Sequence, residues 1–291
     1  MQQRSFLLKA IAILFIFTSS HTLVAQERSS LFWKVSGNGL KQDSYLYGTI
    51  HIICKDQFHV GEKALNALKD SKELLLEIDM ADPEIMGKMG QISFNEGMKN
   101  INEYISERDQ EKVNKFFKES FGAGLEQLGA MKPFILSSMV LTQVISCPDI
   151  SSYEQFFLGK AQENKIPIVG LETIEFQISL FDEIPMNEQV DELVKSIIDK
   201  EKGSQEFMEL VNVYLTEDIE YIHDQILSSD MFANYTDALL YDRNKAWIPI
   251  IEASMEKNSV FVAVGAGHLG SENGLVQLLR KQGYNVEPVL Q

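Results

Sequence analysis

The chain of 291 residues holds two cysteines, two tryptophans, seven prolines and five histidines, and each scarcity narrows what it can be. Cys54 and Cys147 alone cannot build a disulfide-dense scaffold or a cysteine-rich zinc module. With so few prolines and no glycine- or serine-rich stretch, there is no low-complexity linker to divide the chain. Positive charge is scarce too: 26 Lys and Arg stand against 42 Asp and Glu, a net charge of -16 without any dense basic cluster. Phosphate binding needs a basic surface, so a nucleic-acid partner is excluded. Long apolar runs are also missing beyond the first residues. No later segment approaches the roughly 18 consecutive apolar residues of a membrane span.

The first 25 residues stand apart. Arg4 and Lys9 precede or flank an apolar run from Leu7 to Phe17, and Ser19, Ser20 and Ala25 supply small residues toward a cleavage point. This is the pattern of a secretory signal peptide cut after Ala25, with an uncleaved N-terminal anchor as the competing reading. Residues 26–291 are then one exported domain, periplasmic or extracellular, without a stable membrane span. Its net charge is -18, because residues 1–25 carry two basic groups and no acid. Export changes the reading of Cys54 and Cys147, 93 positions apart: they are two buried thiols in a reducing compartment, but a disulfide becomes available in an oxidising one.

The periodicities predict an α/β domain with a large helical middle. Leu31 to Val35 and Ser44 to Ile50 read as a strand pair around the turn Gly37-Asn38-Gly39, and Gly61 to Ser71 as a short amphipathic helix. Leu74 to Asp79 is nearly all apolar until its acidic end, as a strand buried on both faces must be. Helical spacing follows at Ile101 to Ser120, Pro133 to Ile145 and Tyr153 to Asn164, then a strand at Ile166 to Thr173. Charged helices run from Asn187 to Ser228, with a break expected near Lys202-Gly203, and from Tyr235 to Glu256. The strand Val260 to Val264, a helix from Asn273 to Lys281 and a strand from Tyr284 to Val289 complete a central mixed, partly parallel sheet flanked by helices.

Two of the five histidines share one context. Gly48-Thr49-Ile50-His51 follows the strand residues Tyr45-Leu46-Tyr47, and Gly265-Ala266-Gly267-His268 follows Val260 to Val264. A strand, a glycine and then a histidine bring an imidazole to the rim of a sheet, where open α/β sheets collect ligands. Glu77 and Glu172 stand at two further strand ends. Four parallel strands would gather His51, Glu77, Glu172 and His268 in one crevice, a set suited to a divalent transition metal such as manganese, cobalt or zinc. A bound metal would lower the pKa of its water, with a spare glutamate taking the proton and Arg243 meeting a substrate carboxylate or a developing oxyanion. The same residues allow quieter roles. Glu77 can pair with Arg243 in a structural ion pair, Glu172 can begin the helix after its strand, and Arg243 can be solvated on an amphipathic helix. His59 and His223 lack the strand-glycine context and read as ordinary surface or helix residues.

Leu46 to His51, Leu76-Glu77-Ile78-Asp79, Gly170-Leu171-Glu172-Thr173, Asp242-Arg243-Asn244 and Val264 to His268 together resemble the ordered motifs of the TraB/GumN family. The resemblance runs from about residue 31 to 291 and extends to the related PrgY and Tiki proteins. It implies a fold grouped with erythromycin esterase and the haem-binding ChaN proteins. It further implies a metal-dependent protease chemistry in which His51 and His268 take the histidine positions, Glu77 the acidic one and Arg243 that of the family arginine. Glu172 matches a recurrent motif. The expected activity is an exported metal-dependent hydrolase acting on a peptide or protein. Its alternatives are a metal-free hydrolase using histidine and glutamate, and a non-catalytic protein that sequesters a peptide or haem on the same scaffold.

Overall fold

The computed structural model describes residues 29–229 and 233–290; the expected signal peptide, residues 1–25, lies outside them. A six-stranded sheet forms the centre, built from β1 (Phe32–Ser36), β2 (Ser44–Thr49), β4 (Glu73–Ile78), β6 (Ile168–Glu172), β7 (Val260–Gly265) and β8 (Asn285–Pro288). A separate two-stranded ribbon pairs β3 (Ile53–Cys54) with β5 (Ile150–Ser151). The order across the large sheet is β6-β4-β7-β2-β1-β8. Strands β6, β4, β7 and β2 run parallel, whereas β1 is antiparallel to both of its neighbours. The mixed, partly parallel sheet expected from the sequence is therefore present.

The helices fall between the strands: α1 (Glu62–Asp70) before β4, then α2 (Ile85–Ile92), α3 (Glu107–Phe121), α4 (Leu125–Leu128), α5 (Pro133–Val144) and α6 (Tyr153–Asn164) before β6. Between β6 and β7 come α7 (Ile174–Leu180), α8 (Met186–Ile198), α9 (Lys200–Tyr214), α10 (Ile219–Leu227), a π turn at Asp237–Tyr241 and α11 (Asp242–Met255); α12 (Leu275–Lys281) precedes β8. The expected break at Lys202-Gly203 is displaced. Gly203 lies inside α9, and the chain turns at Asp199 (φ -112°, ψ 57°) and again at Glu217, whose φ is +57°. A Cβ on Gly203 would meet the Val144 side chain at 3.4 Å, an ordinary contact distance, so the glycine neither ends the helix nor is demanded by its packing; a single glycine weakens a helix without having to stop it.

Alternation along the strands separates two cores. Leu74, Leu76, Phe261 and Ala263 point to a layer rich in aromatic rings, including Tyr47, Phe157 and Tyr214. Leu75, Val260, Val262 and Val264 point to the other face, against Trp247, Ile251 and Leu279. Because β7 is covered on both sides, all of its residues from Val260 to Val264 are buried, and an unbroken apolar run is the result. The helical middle has a third core of its own around Phe117, Leu136, Val140 and Leu193.

The parallel strands present their carboxyl ends on one edge, and four of the predicted site residues are there, Arg243 coming from a helix. Glu77 is next to last in β4 and Glu172 is last in β6, while His51 and His268 lie just beyond β2 and β7. Those two strands are neighbours in parallel register, Gly48 opposite Val264 and Thr49 opposite Gly265, so the two glycine-histidine motifs lie side by side. Gly48 is required there, since a Cβ on it would come within 2.9 Å of Leu269 and 3.1 Å of the Ala266 Cα.

Phe261 is fully buried and its ring lies 5.1 Å from that of Phe157 and 6.1 Å from that of Phe32. Phe261→Ala is expected to cost about 3–5 kcal/mol by loss of transfer energy and creation of a cavity, measured as a fall in the midpoint of urea unfolding.

Candidate functional site

A cavity of about 690 Å³ opens at the carboxyl edge of the parallel strands, with His51, Glu77, Gln177, Arg243, Gly265 and His268 among the residues that line it. Apolar side chains from the helices wall it, among them Phe134, Leu180, Leu210, Ile226 and Leu240. The sequence-predicted groups thus converge, with the exception of Glu172, which stands behind the floor.

Arg243 organises the floor. The π turn leads directly into α11 and sets the guanidinium between β4, β6 and the loop after β7. Nε donates to both carboxylate oxygens of Glu172 at 3.1 Å. One terminal nitrogen, Nη2, donates to Glu77 Oε2 at 2.6 Å and to Glu172 Oε1 at 2.7 Å. The other, Nη1, donates to the Leu239 carbonyl at 2.9 Å and lies 3.1 Å from His268 Nε2. An arginine has five N–H groups in a fixed fork, and each has a partner here. The expected role in gripping a substrate carboxylate or oxyanion therefore has no free donor to use. The quieter reading, a structural ion pair with Glu77, is what the geometry displays, with Glu172 as its second member.

Glu172 is saturated as well. Besides Arg243, its oxygens accept from Gln177 Nε2 at 3.1 Å and Trp247 Nε1 at 3.0 Å. The Trp247 ring also lies under the guanidinium, 4.8 Å from its centre, a cation–π contact. Glu77 is different. Its Oε2 is filled by Arg243 and by Gln177 at 2.8 Å, whereas among the described residues Oε1 accepts only the Gly265 backbone N–H at 2.9 Å. A carboxylate oxygen has two acceptor positions, so Oε1 keeps one open toward the cavity. Burial by itself would raise the Glu77 carboxyl, but Arg243 foremost, with His268, His51 and the Gly265 N–H, overrides it and holds the group well below the usual carboxylate range.

The two histidines have opposite fates. Because a guanidinium cannot accept, His268 Nε2 must be the acceptor from Arg243. The proton therefore sits on Nδ1, which donates to Asn244 Oδ1 at 2.7 Å. The Asn244 amide group is oriented for this by donating to the carbonyls of His268 and Asn273. Burial is the main cause that lowers the His268 pKa to about 3, assisted by Arg243 and His51 against the pull of Glu77. His268 is thus a neutral ring with both nitrogens committed. His51 donates from Nδ1 to Glu154 Oε1 at 2.9 Å, and that carboxylate raises its pKa to about 9. Protein surrounds His51 on the cavity wall, yet 72% of its side chain remains open to water, which screens part of the attraction. Its Nε2 has no hydrogen-bond partner among the described residues, and the ring lines the cavity.

The expected metal on His51, His268 and Glu77 can be tested against these partners. Each histidine has Nδ1 tied down, the outer-shell arrangement of a metal ligand. Yet among the described residues no group of three His, Cys, Asp or Glu is close enough to hold a metal ion. The physical reason is Arg243, which contacts both Glu77 and the Nε2 lone pair of His268. A divalent cation between those atoms would meet a like charge and an occupied donor. As arranged, the residues do not fit the three-ligand metal site that the sequence led us to expect.

Sequence reasoning missed Glu154, Gln177 and Trp247, and gave Asn244 no role. Glu154 follows Ser152 at the start of α6 and so resembles an ordinary acid in a first helical turn. Only Asn244 carried a signal, through its place in Asp242-Arg243-Asn244.

The model of the TraB/PrgY/gumN family matches residues 31–288. The protein named Metalloprotease TIKI1, from Danio rerio, is 20% identical over 315 residues, covering 89% of this chain and 63% of its own length. The chain thus spans less than two thirds of that relative. Uncharacterized protein YbaP of Shigella flexneri is 25% identical over 242 residues, covering 81% of this chain and 88% of its own. No solved structure matches the chain significantly.

Arg243→Met would leave Glu77 and Glu172 uncompensated in the interior. The expected loss is about 3–5 kcal/mol, measured by denaturant unfolding at pH 7. The two histidines also set a pH dependence. Below the ordinary value of 6.5 the unfolded chain takes up a proton that folded His268 refuses until about 3, so stability rises with pH across that window. Above 6.5 the folded chain keeps the His51 proton that the unfolded chain releases, so this contribution is lost as pH rises through about 9. Unfolding free energy should fall between pH 6.5 and 9, and the fall should be smaller in His51→Gln.

Proposed function

This chain belongs to the TraB/PrgY/gumN family, and on that footing we propose that it is an exported hydrolase of peptide bonds, working at the cavity on the carboxyl edge of its parallel strands. The observation that carries the reading is the pair of open valences there: Glu77 Oε1 and His51 Nε2 are on one cavity, while Arg243 and His268 beside them are fully engaged. Similarity to a protein named as a metalloprotease supports hydrolysis and a peptide substrate. Export is supported by the leader-like first 25 residues and by the disulfide between Cys54 and Cys147. No helix among the described residues is long and apolar enough to cross a membrane.

In this reading the apolar wall takes a substrate side chain, and Glu77 Oε1 accepts a hydrogen bond from the attacking water. Glu77 is a weak base, held ionised by Arg243, so its task is to aim the water and to oppose the charge that builds up as the carbonyl is attacked. His51, kept protonated by Glu154 at neutral pH, hydrogen-bonds to the carbonyl oxygen as negative charge builds there and then transfers its single proton to the departing amine; the proton lost by the attacking water passes to solvent in the open cavity, from which His51 is reprotonated. His268, Arg243 and Glu172 act through Glu77: they fix its position and its charge.

A second reading is favoured by the name of the Danio rerio relative, in which the same cavity recruits a divalent metal, manganese, cobalt or zinc. It requires Arg243 to release His268. One set of measurements separates the two. The purified chain is incubated with a peptide mixture and followed by mass spectrometry, with and without a strong chelator, alongside elemental analysis. Cleavage that persists in chelator with no bound metal supports the first reading, and loss of cleavage with loss of a stoichiometric metal supports the second. Saturable binding of unaltered peptide or haem, with no products, would sink both in favour of a sequestering protein.

The variants should also divide. His51→Ala is expected to lower cleavage by about 10²-fold or more and to cost less stability than His268→Ala, because the side chain is largely open to water and its attraction to Glu154 is partly screened. His268→Ala should lower both cleavage and stability, since it removes a buried partner of Arg243 and Asn244. Equal loss of stability in the two variants would contradict this division of roles.

A further inference from the structure

The segment that carries His51 and the segment that carries Glu154 are joined a few residues away by a clamp. Ile53 pairs with Ser151 and Cys54 with Ile150 in antiparallel register, and Cys54 is disulfide-bonded to Cys147. The Lys55 N–H adds a bond to the Asp149 carbonyl at 3.0 Å. Carrying that register outward sets residues 49–52 against residues 152–155. The side chains meet there: Thr49 Oγ1 donates to Glu154 Oε1 at 2.6 Å, Ser152 Oγ donates to Glu154 Oε2 at 2.9 Å, and His51 Nδ1 lies 2.9 Å from Oε1.

An acid in the first turn of α6 needs no partner beyond the helix dipole, but the dipole leaves its rotamer undetermined. Three separate contacts determine it, and two of them come from the strand-to-histidine segment itself. Glu154 is only 18% exposed, whereas His51 is 72% exposed. The exposed ring has few packing contacts to hold it, so its direction depends on the carboxylate behind it. The clamp matters for the same reason: β3 and β5 are two residues each, too short to stay paired by their own hydrogen bonds.

We propose that Glu154 is the positioning residue of His51, and that the Cys54–Cys147 disulfide and its ribbon hold the two in register, so that the site is complete in the oxidised chain and loosened by reduction. The proposal rests on the reading of His51 as a group that meets the substrate, but it can be judged without turnover. Histidine side-chain proton and nitrogen NMR on the purified chain gives a hydrogen-bonded, downfield Nδ1–H signal, assigned to His51 by its absence in His51→Gln. The signal should survive with a smaller downfield shift in Glu154→Gln, whose amide oxygen still accepts, and vanish in Glu154→Ala. It should broaden or vanish in Cys54→Ser/Cys147→Ser and in wild type reduced with a phosphine. Peptide cleavage should follow the signal, with kcat down about 10–100-fold in Glu154→Ala, KM little changed, and partial rescue in Glu154→Gln.

An unaltered His51 signal in Glu154→Ala overturns the positioning role, and an unaltered signal with full activity after reduction overturns the clamp. If Glu154→Ala does not fold, Glu154→Gln and the reduced wild type decide: a signal identical to that of oxidised wild type in both refutes the proposal. If wild type cleaves nothing, the hydrolase reading fails, while the NMR series still decides whether Glu154 and the disulfide set His51.

Discussion

The site depends on one guanidinium. Arg243 reaches from the start of α11 into the sheet edge and joins β4 through Glu77, β6 through Glu172, the π turn through the Leu239 carbonyl and the loop after β7 through His268. A carboxylate on a strand that is otherwise apolar would be expensive to bury alone. Two of them on adjacent strands, both paired with Arg243, persist only while that cation stays. Such a buried network contributes little net stability against an apolar substitute, but it enforces one arrangement. Removing a member leaves charge with no water to receive it.

The same network explains why two copies of one motif give two chemically different histidines. His51 and His268 follow adjacent parallel strands at the same spacing from a glycine. His268 is buried beside Arg243 and is forced to remain neutral; His51 faces water with Glu154 behind it and is held as a cation. Sequence symmetry fixes where the two rings emerge, but the neighbours fix their charge. A neutral and a cationic imidazole are made from identical residues in this way.

The fold supplies the convergence. Four parallel strands whose carboxyl ends share an edge bring residues 51, 77, 172 and 268 within reach of one another, and helices between β6 and β7 wall the resulting cavity. The long helical middle has a core of its own, while the wall helices α9 and α10 are also anchored in the sheet's aromatic layer through Val211, Tyr214 and Ile222. At the far side of His51 a two-stranded ribbon and a disulfide replace the packing that an exposed loop lacks.

Much of this was legible in the order of residues. The unbroken apolar runs at Leu74 to Leu76 and Val260 to Val264 declare strands covered on both faces, and a glycine and histidine after a strand declare a sheet rim, because these patterns depend on local geometry alone. The helix break moved from Gly203 to Asp199, since a single glycine weakens a helical stretch without having to end it. What the sequence by itself determined is the parallel architecture, the positions of His51, Glu77, Glu172 and His268 at strand ends, and the family. Only the tertiary structure decided that Arg243 has no donor to spare, that Glu154 stands behind His51, and that the metal triad is interrupted. Those outcomes are set by distances of about 3 Å between groups far apart in the chain, where hydrogen-bond valence and charge are counted, and no periodicity encodes them.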